Sequence, residues 1–196
     1  APVKVARSSL ERYVPRYLVV NTGNANAGTG TRGINDAEAT CAKIGELTRV
    51  NPSRVLPFST GVIGEHLPIK LIMDALPSAI EALDQYGWEA AASAILTTDT
   101  RPKASSKRFA MPVSEDSCTE PDIFTQEQIT VTGIAKGSGM IRPNMATMLS
   151  FIATDATIDN ELLHMALTRA ANKSFHRITV DGDTSTNDAV VLIATG

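Results

Sequence analysis

The chain has 196 residues, 43% of them apolar and 20% charged, a balance that fits one folded domain and excludes a disordered or collagen-like chain. Eighteen Lys and Arg stand against 21 Asp and Glu, for a net charge of -3, so the basic excess of a dedicated nucleic-acid binder is missing and no nucleic-acid partner is expected. No run of eighteen apolar residues occurs, and the opening APVKVARSSLER carries no signal-type apolar segment; no membrane partner is expected, and the chain reads as cytoplasmic.

In chain order, residues 17–21 form a short β-branched run that stops at Thr22-Gly23, the pattern of a buried strand entering a loop. That loop is expected to run from Gly23 to Gly33. Asp36 can then cap a helix in which Ala37, Cys41, Ile44 and Leu47 make one apolar stripe, ended by Asn51-Pro52. Residues 54–58 read as a second strand closed by a turn at Ser59-Thr60-Gly61. Pro68 suits a helix start for Ile69, Ile72, Met73 and Leu76, and Pro77 is expected to restart the register for Ile80 and Leu83. Residues 88–95 are alanine-rich and helical, 101–107 read as a break, 108–113 as a strand, and 114–121 as an exposed hairpin or insertion. Residues 128–134 alternate as a half-exposed strand does and run into a glycine-rich bend at 135–139. A strand at 148–153, a helix at 159–171 with Leu162, Leu163, Ala166 and Leu167 inward, and strands at 177–180 and 189–194 complete the chain. Strands alternating with helices give the α/β class.

Most candidate motifs reduce to structure. Gly28-Thr29-Gly30-Thr31-Arg32-Gly33 fits G-x-G-x-x-G, but loop intervenes between the strand and the first glycine, and the next strand ends in Ser59-Thr60 without an acid for a ribose. Asp181, Asp183, Ser185 and Asn187 alternate as calcium ligands do, yet Leu192 occupies the place of the bidentate glutamate; the expectation is a turn-rich loop that shapes a neighbouring site, with no metal. His66, His164 and His176 are scattered, and Cys41 and Cys118 lie far apart with no C-x-x-C, so reduced thiols are expected. No G-x-S-x-G occurs, which leaves triad chemistry without support.

The stretch from Lys136 to Leu149 is different, because a glycine-rich, proline-bounded loop runs directly into a strand start at Ala146-Thr147. Were that peptide bond cut, Thr147 would carry a hydroxyl and an α-amine on one residue, and the amine, with an ordinary pKa near 8, could act as base for the hydroxyl.

Five segments, NTGNANAGTG, STGVIG, ILTTDT, AKGSGMIRPNMATMLSF and DGDTSTND, taken in this order, resemble the glutamate N-acetyltransferases, also called ornithine acetyltransferases, of arginine biosynthesis. The resemblance implies a layered α/β sandwich with sheets between helices, of the type shared with a self-cleaving aminopeptidase. It implies self-cleavage between Ala146 and Thr147, after which Thr147 carries an acetyl group from N-acetylornithine to glutamate, with acetyl-CoA as a further candidate donor. Thr60 and Gly61 would stabilise the oxyanion. Lys136 and a threonine of the TTDT segment, Thr97 first and Thr98 second, would contact substrate, Lys136 through the α-carboxylate that both substrates share. No cofactor is implied. The partner would be the complementary cleaved chain in a heterotetramer, and residues 1–196 are expected to be one portion of a longer precursor. Two rival readings remain, an aminopeptidase-like hydrolase using the same nucleophile and a non-catalytic fragment.

Overall fold

The computed structural model describes residues 1–110, 128–141 and 148–196. A first helix, α1 (Pro2–Leu10), turns Pro2 and Ala6 inward. Strand β1 (Tyr17–Asn24), helix α2 (Gly30–Thr48) and strand β2 (Val55–Val62) follow as a β-α-β unit, with the strands parallel and Gly23 opposite Gly61. Side chains alternate across these strands, as the pleat demands. Tyr17, Val19 and Val55 face α2 and helix α3 (Ile69–Glu81), where Cys41, Ile44, Ile72, Met73, Leu76 and Ile80 close a first core.

The opposite set, Leu18, Val20, Leu56 and Phe58, faces a second sheet. After helix α4 (Trp88–Ala94), strands β3 (Lys103–Ala110), β4 (Gln128–Lys136), β5 (Leu149–Thr154) and β6 (Ala189–Ala194) lie in that order. The first three are antiparallel, and β5 and β6 are parallel through helix α5 (Asn160–Lys173). Leu56 and Phe58 meet Ile134, Leu149 and Phe151, with Ala6, Ala92 and Ile95 completing the cluster. The Phe58 and Phe151 rings meet edge to face at 5.1 Å and 84°, a geometry that adds about 0.5–1.5 kcal/mol beyond the area it buries. Helices thus flank two face-to-face sheets, an α/β sandwich of the expected class. The β2–β5 contact matters for function because it sets the C-terminal end of β2 beside the end of β4.

Several boundaries differ from the sequence reading. Helix α2 begins at Gly30 rather than near Asp36, so the last four residues of G-x-G-x-x-G are helical. Gly33 is needed there for packing, since a Cβ would run into the side chains of Thr29 and Asn26. Asn26 binds the Gly33 carbonyl at 2.8 Å and accepts the Thr29 hydroxyl at 2.7 Å, so a polar lock occupies the helix entrance. Pro77 does not restart a helix; it lies inside α3, whose packing against α2 outweighs one missing backbone donor. Strand β3 starts at Lys103, within the expected break, and ends at Ala110; residues 111–127, including Cys118 and the expected insertion, lie outside the described residues. Residues 177–180 are not a strand: a 3-10 turn at Phe175–Arg177 leads to isolated bridges from Ile141 to Val180 and Asp181. Of the apolar face assigned to α5, Leu162 is 53% exposed and only Ala171 of the helix is buried.

Candidate functional site

Strand β2 carries its buried pattern through Ser59 and Thr60 and then opens to solvent at Gly61. Gly61 has φ +132, and a Cβ there would collide with the carbonyl of Gly23 on β1. Both facts demand glycine: the left-handed region is costly for other residues, and the two backbones approach too closely for a side chain. Next to this bend Thr60 is 5% exposed.

Lys136, the last residue of β4, is 3% exposed. Its Nζ donates to Thr60 Oγ1 at 2.8 Å and to Thr97 Oγ1 at 2.8 Å. Three residues expected at one site from three separate segments therefore share one ammonium group. Burial pulls the Lys136 ammonium below its ordinary pKa, while Asp99 and Asp188 act in the opposite direction. Thr98 faces elsewhere, with its hydroxyl 2.7 Å from that of Ser138, so between the two threonines Thr97 is the one that touches Lys136. Asp99 lies behind the cluster, accepting from Lys103 and, at 2.8 Å, from the Gly137 amide. Burial alone would raise its carboxyl, but these donors prevail and hold it below the usual carboxylate value. The turn after Lys136 is pinned as a result.

The DGDTSTND loop closes the site from the other side. Asn187 is 7% exposed, and its amide donates to the carbonyls of Ala25 and, at 3.0 Å, Ser59. Asp188 Oδ1 accepts the Met148 amide at 2.9 Å. Its Oδ2 is buried and has no hydrogen-bond partner among the described residues. Burial pushes the Asp188 carboxyl up to about 6, against the pull of the Met148 amide, the Ser185 side chain and Lys136. Because the folded state holds this proton more tightly than the unfolded chain does, stability should fall as pH rises from about 4 to about 6. Urea midpoints across that range should show the decline, and Asp188→Asn should flatten it.

Ala146 and Thr147 lie outside the described residues, and Met148 and Leu149 mark where the described chain resumes. Thr60 and Gly61 near the end of β2 and Lys136 at the end of β4 meet Thr97, which lies in the bend between α4 and β3. Asn187 belongs to the loop expected from the sequence to shape a neighbouring site, whereas Asp188 and Asp99 have no individual role in the sequence reading. The signal available was weak, an acid or amide closing a turn-rich loop just before a strand. Cys41, 4% exposed, has its thiol pushed up to about 12, chiefly by burial, which makes it a core residue and not a nucleophile. Among the described residues no group of three or more His, Cys, Asp and Glu could hold a metal, and no helix is long and apolar enough to cross a membrane.

The ArgJ family profile matches residues 1–196. An "Arginine biosynthesis bifunctional protein ArgJ" from Methylococcus capsulatus is 57% identical over 194 residues, 99% of this chain and 44% of that protein. One of the same name from Pseudomonas fluorescens is 55% identical over 196 residues, 100% of this chain and 45% of that protein. The chain thus spans less than half the length of these relatives. Among solved structures, an ArgJ from Bacillus halodurans superposes with a TM-score of 0.58 at 36% identity, covering 73% of this chain and 69% of that one. An ornithine acetyltransferase from Mycobacterium tuberculosis, solved with ornithine, has the same TM-score and coverage at 27% identity. With the whole length matched and the glycine, threonine and lysine segments converging at one sheet end, the chain belongs to the ArgJ family.

Proposed function

We propose that the whole protein is a glutamate N-acetyltransferase of arginine biosynthesis, moving the acetyl group of N-acetylornithine to glutamate through an acetyl ester on Thr147. The observation that carries this reading is the buried Lys136 ammonium shared by Thr60 and Thr97. It sets a fixed positive charge and two hydroxyls beside the Gly61 bend. A hydroxyl that accepts from Lys136 keeps its own proton free to donate to an oxyanion, so Thr60 is poised as a donor at that bend.

Maturation comes first. The Thr147 hydroxyl attacks the Ala146 carbonyl, the amide shifts to an ester, and water cleaves that ester to leave a carboxylate on Ala146 and a free amine on Thr147. That amine then takes the hydroxyl proton as Thr147 attacks the acetyl carbonyl, and passes it to the departing amine of ornithine. Glutamate's amine attacks the acetyl ester in turn, and the proton it loses restores the threonine hydroxyl. Lys136 and Thr97 line the pocket for the amino-acid portion that both substrates share. Acetyl-CoA stays within the proposal as a second donor. The assembly is a heterotetramer of two cleaved pairs, working in the cytoplasm without a cofactor.

Full-length, processed protein incubated with acetyl-labelled N-acetylornithine should yield a labelled peptide that begins at Thr147, and the label should move to glutamate on its addition. Label released only as acetate would favour the hydrolase reading. No labelled Thr147 peptide would overturn the acetyl-threonine intermediate, and a single uncut mass would overturn self-cleavage.

A further inference from the structure

The loop ending at Asp188 is turned toward the strand that follows position 147. Strands β5 and β6 run parallel, with Leu149 opposite Ala189. One residue earlier the ladder continues on one side only: the Ala189 amide donates to the Met148 carbonyl at 3.1 Å. The Met148 amide has no backbone acceptor in the ladder and is taken at 2.9 Å by the Asp188 carboxylate. Both polar backbone groups of Met148 are therefore held by residues 188 and 189. Residue 147 lies outside the described residues and is joined covalently to the Met148 nitrogen that Asp188 holds.

We propose that Asp188 is a positioning residue for acyl transfer, holding the amide of Met148, the residue that follows the proposed nucleophile Thr147 in sequence. This deepens the acetyltransferase reading and rests on it. Asn187, next in the chain, binds the carbonyl of Ser59 directly before Thr60, so two neighbouring side chains tie the nucleophile's strand and the oxyanion bend to one loop. The orientation of an attacking oxygen against its acceptor sets rate far more than affinity, and small displacements are costly. The Asp188 contribution should thus fall on kcat. A backbone amide is a donor to either a carboxylate or an amide oxygen, so asparagine can replace aspartate in this role while alanine cannot.

The test uses the full-length protein and its Asp188→Ala and Asp188→Asn variants. Amide exchange at Met148 is read alongside acetyl transfer. Asp188→Ala should release the Met148 amide to exchange and lower kcat roughly 10- to 100-fold, with KM within about a factor of three. Asp188→Asn should keep the amide protected and recover most of kcat. Unchanged kcat in Asp188→Ala would overturn the proposal. So would equal loss in both variants with Met148 still protected, because the side chain would then act through its charge. Should Asp188→Ala fail to fold, Asp188→Ser, whose hydroxyl is too short to reach the amide, replaces it with the same expectations. If the wild-type protein transfers no acetyl group, the acetyltransferase reading fails by itself, and the Met148 exchange pattern together with cleavage at position 147 still decides whether Asp188 positions this strand.

Discussion

Thr147→Ala in the full-length protein is expected to abolish chain cleavage and acetyl transfer together. In the proposed mechanism both reactions use the same oxygen, first against the Ala146 carbonyl and then against the acetyl carbonyl of substrate, and alanine has none. Loss of a nucleophile of this kind costs about 10⁴-fold or more in kcat. Serine keeps the hydroxyl and should retain both steps at a reduced rate. An uncut Thr147→Ala protein is seen directly as one mass under denaturing conditions. Retained acetyl transfer by Thr147→Ala would reject the nucleophile assignment, whatever happened to cleavage.

The second large effect is expected at Thr60. Valine has nearly the same shape but lacks Oγ1, so Thr60→Val removes a donor beside the Gly61 bend and one of the two hydroxyl acceptors of Lys136. Losing one oxyanion donor lowers kcat about 10²- to 10³-fold. Leaving a buried ammonium with one acceptor fewer should also destabilise the protein by about 1–3 kcal/mol. Thr60→Ser should restore most of both. The two effects are separable, since kinetics reads the first and a urea midpoint the second. A rise in KM at unchanged kcat would show that Thr60 binds substrate and does not stabilise the oxyanion.

Strands β1, β2, β5 and β6 were legible because each is a compact apolar run bounded by glycine, threonine or asparagine, the pattern of strands buried between layers. Strand β3 was legible only at residues 108–110, because KASSKRFA offers no inward set: every residue of it is exposed, and pairing with β4 holds it in place. Helix α1 was missed for a related reason, since it buries only Pro2 and Ala6 and so has no stripe of large side chains. The start of α2 was hidden by Gly30 and Gly33, which read as a turn until the close packing of Asn26 and Thr29 explains Gly33. At the site, the family resemblance pointed to Thr60, Gly61, Thr97 and Lys136 one by one, yet no local pattern shows that one ammonium joins residues 76 and 39 positions apart. Asn187 was harder still, because its acceptors lie 162 and 128 residues away and it reads locally as a turn former.

Those long separations have a consequence for how the protein is made. A pocket closed by bonds from Asn187 to Ala25 and Ser59 cannot be complete while the ribosome is still translating the segment between them. Contacts so distant in sequence are also among the last to form once the chain is free, since loop entropy must be overcome before they stabilise anything. If the proposed self-cleavage holds, the nascent chain carries Thr147 before it carries the loop whose Asn187 ties Ala25 to Ser59.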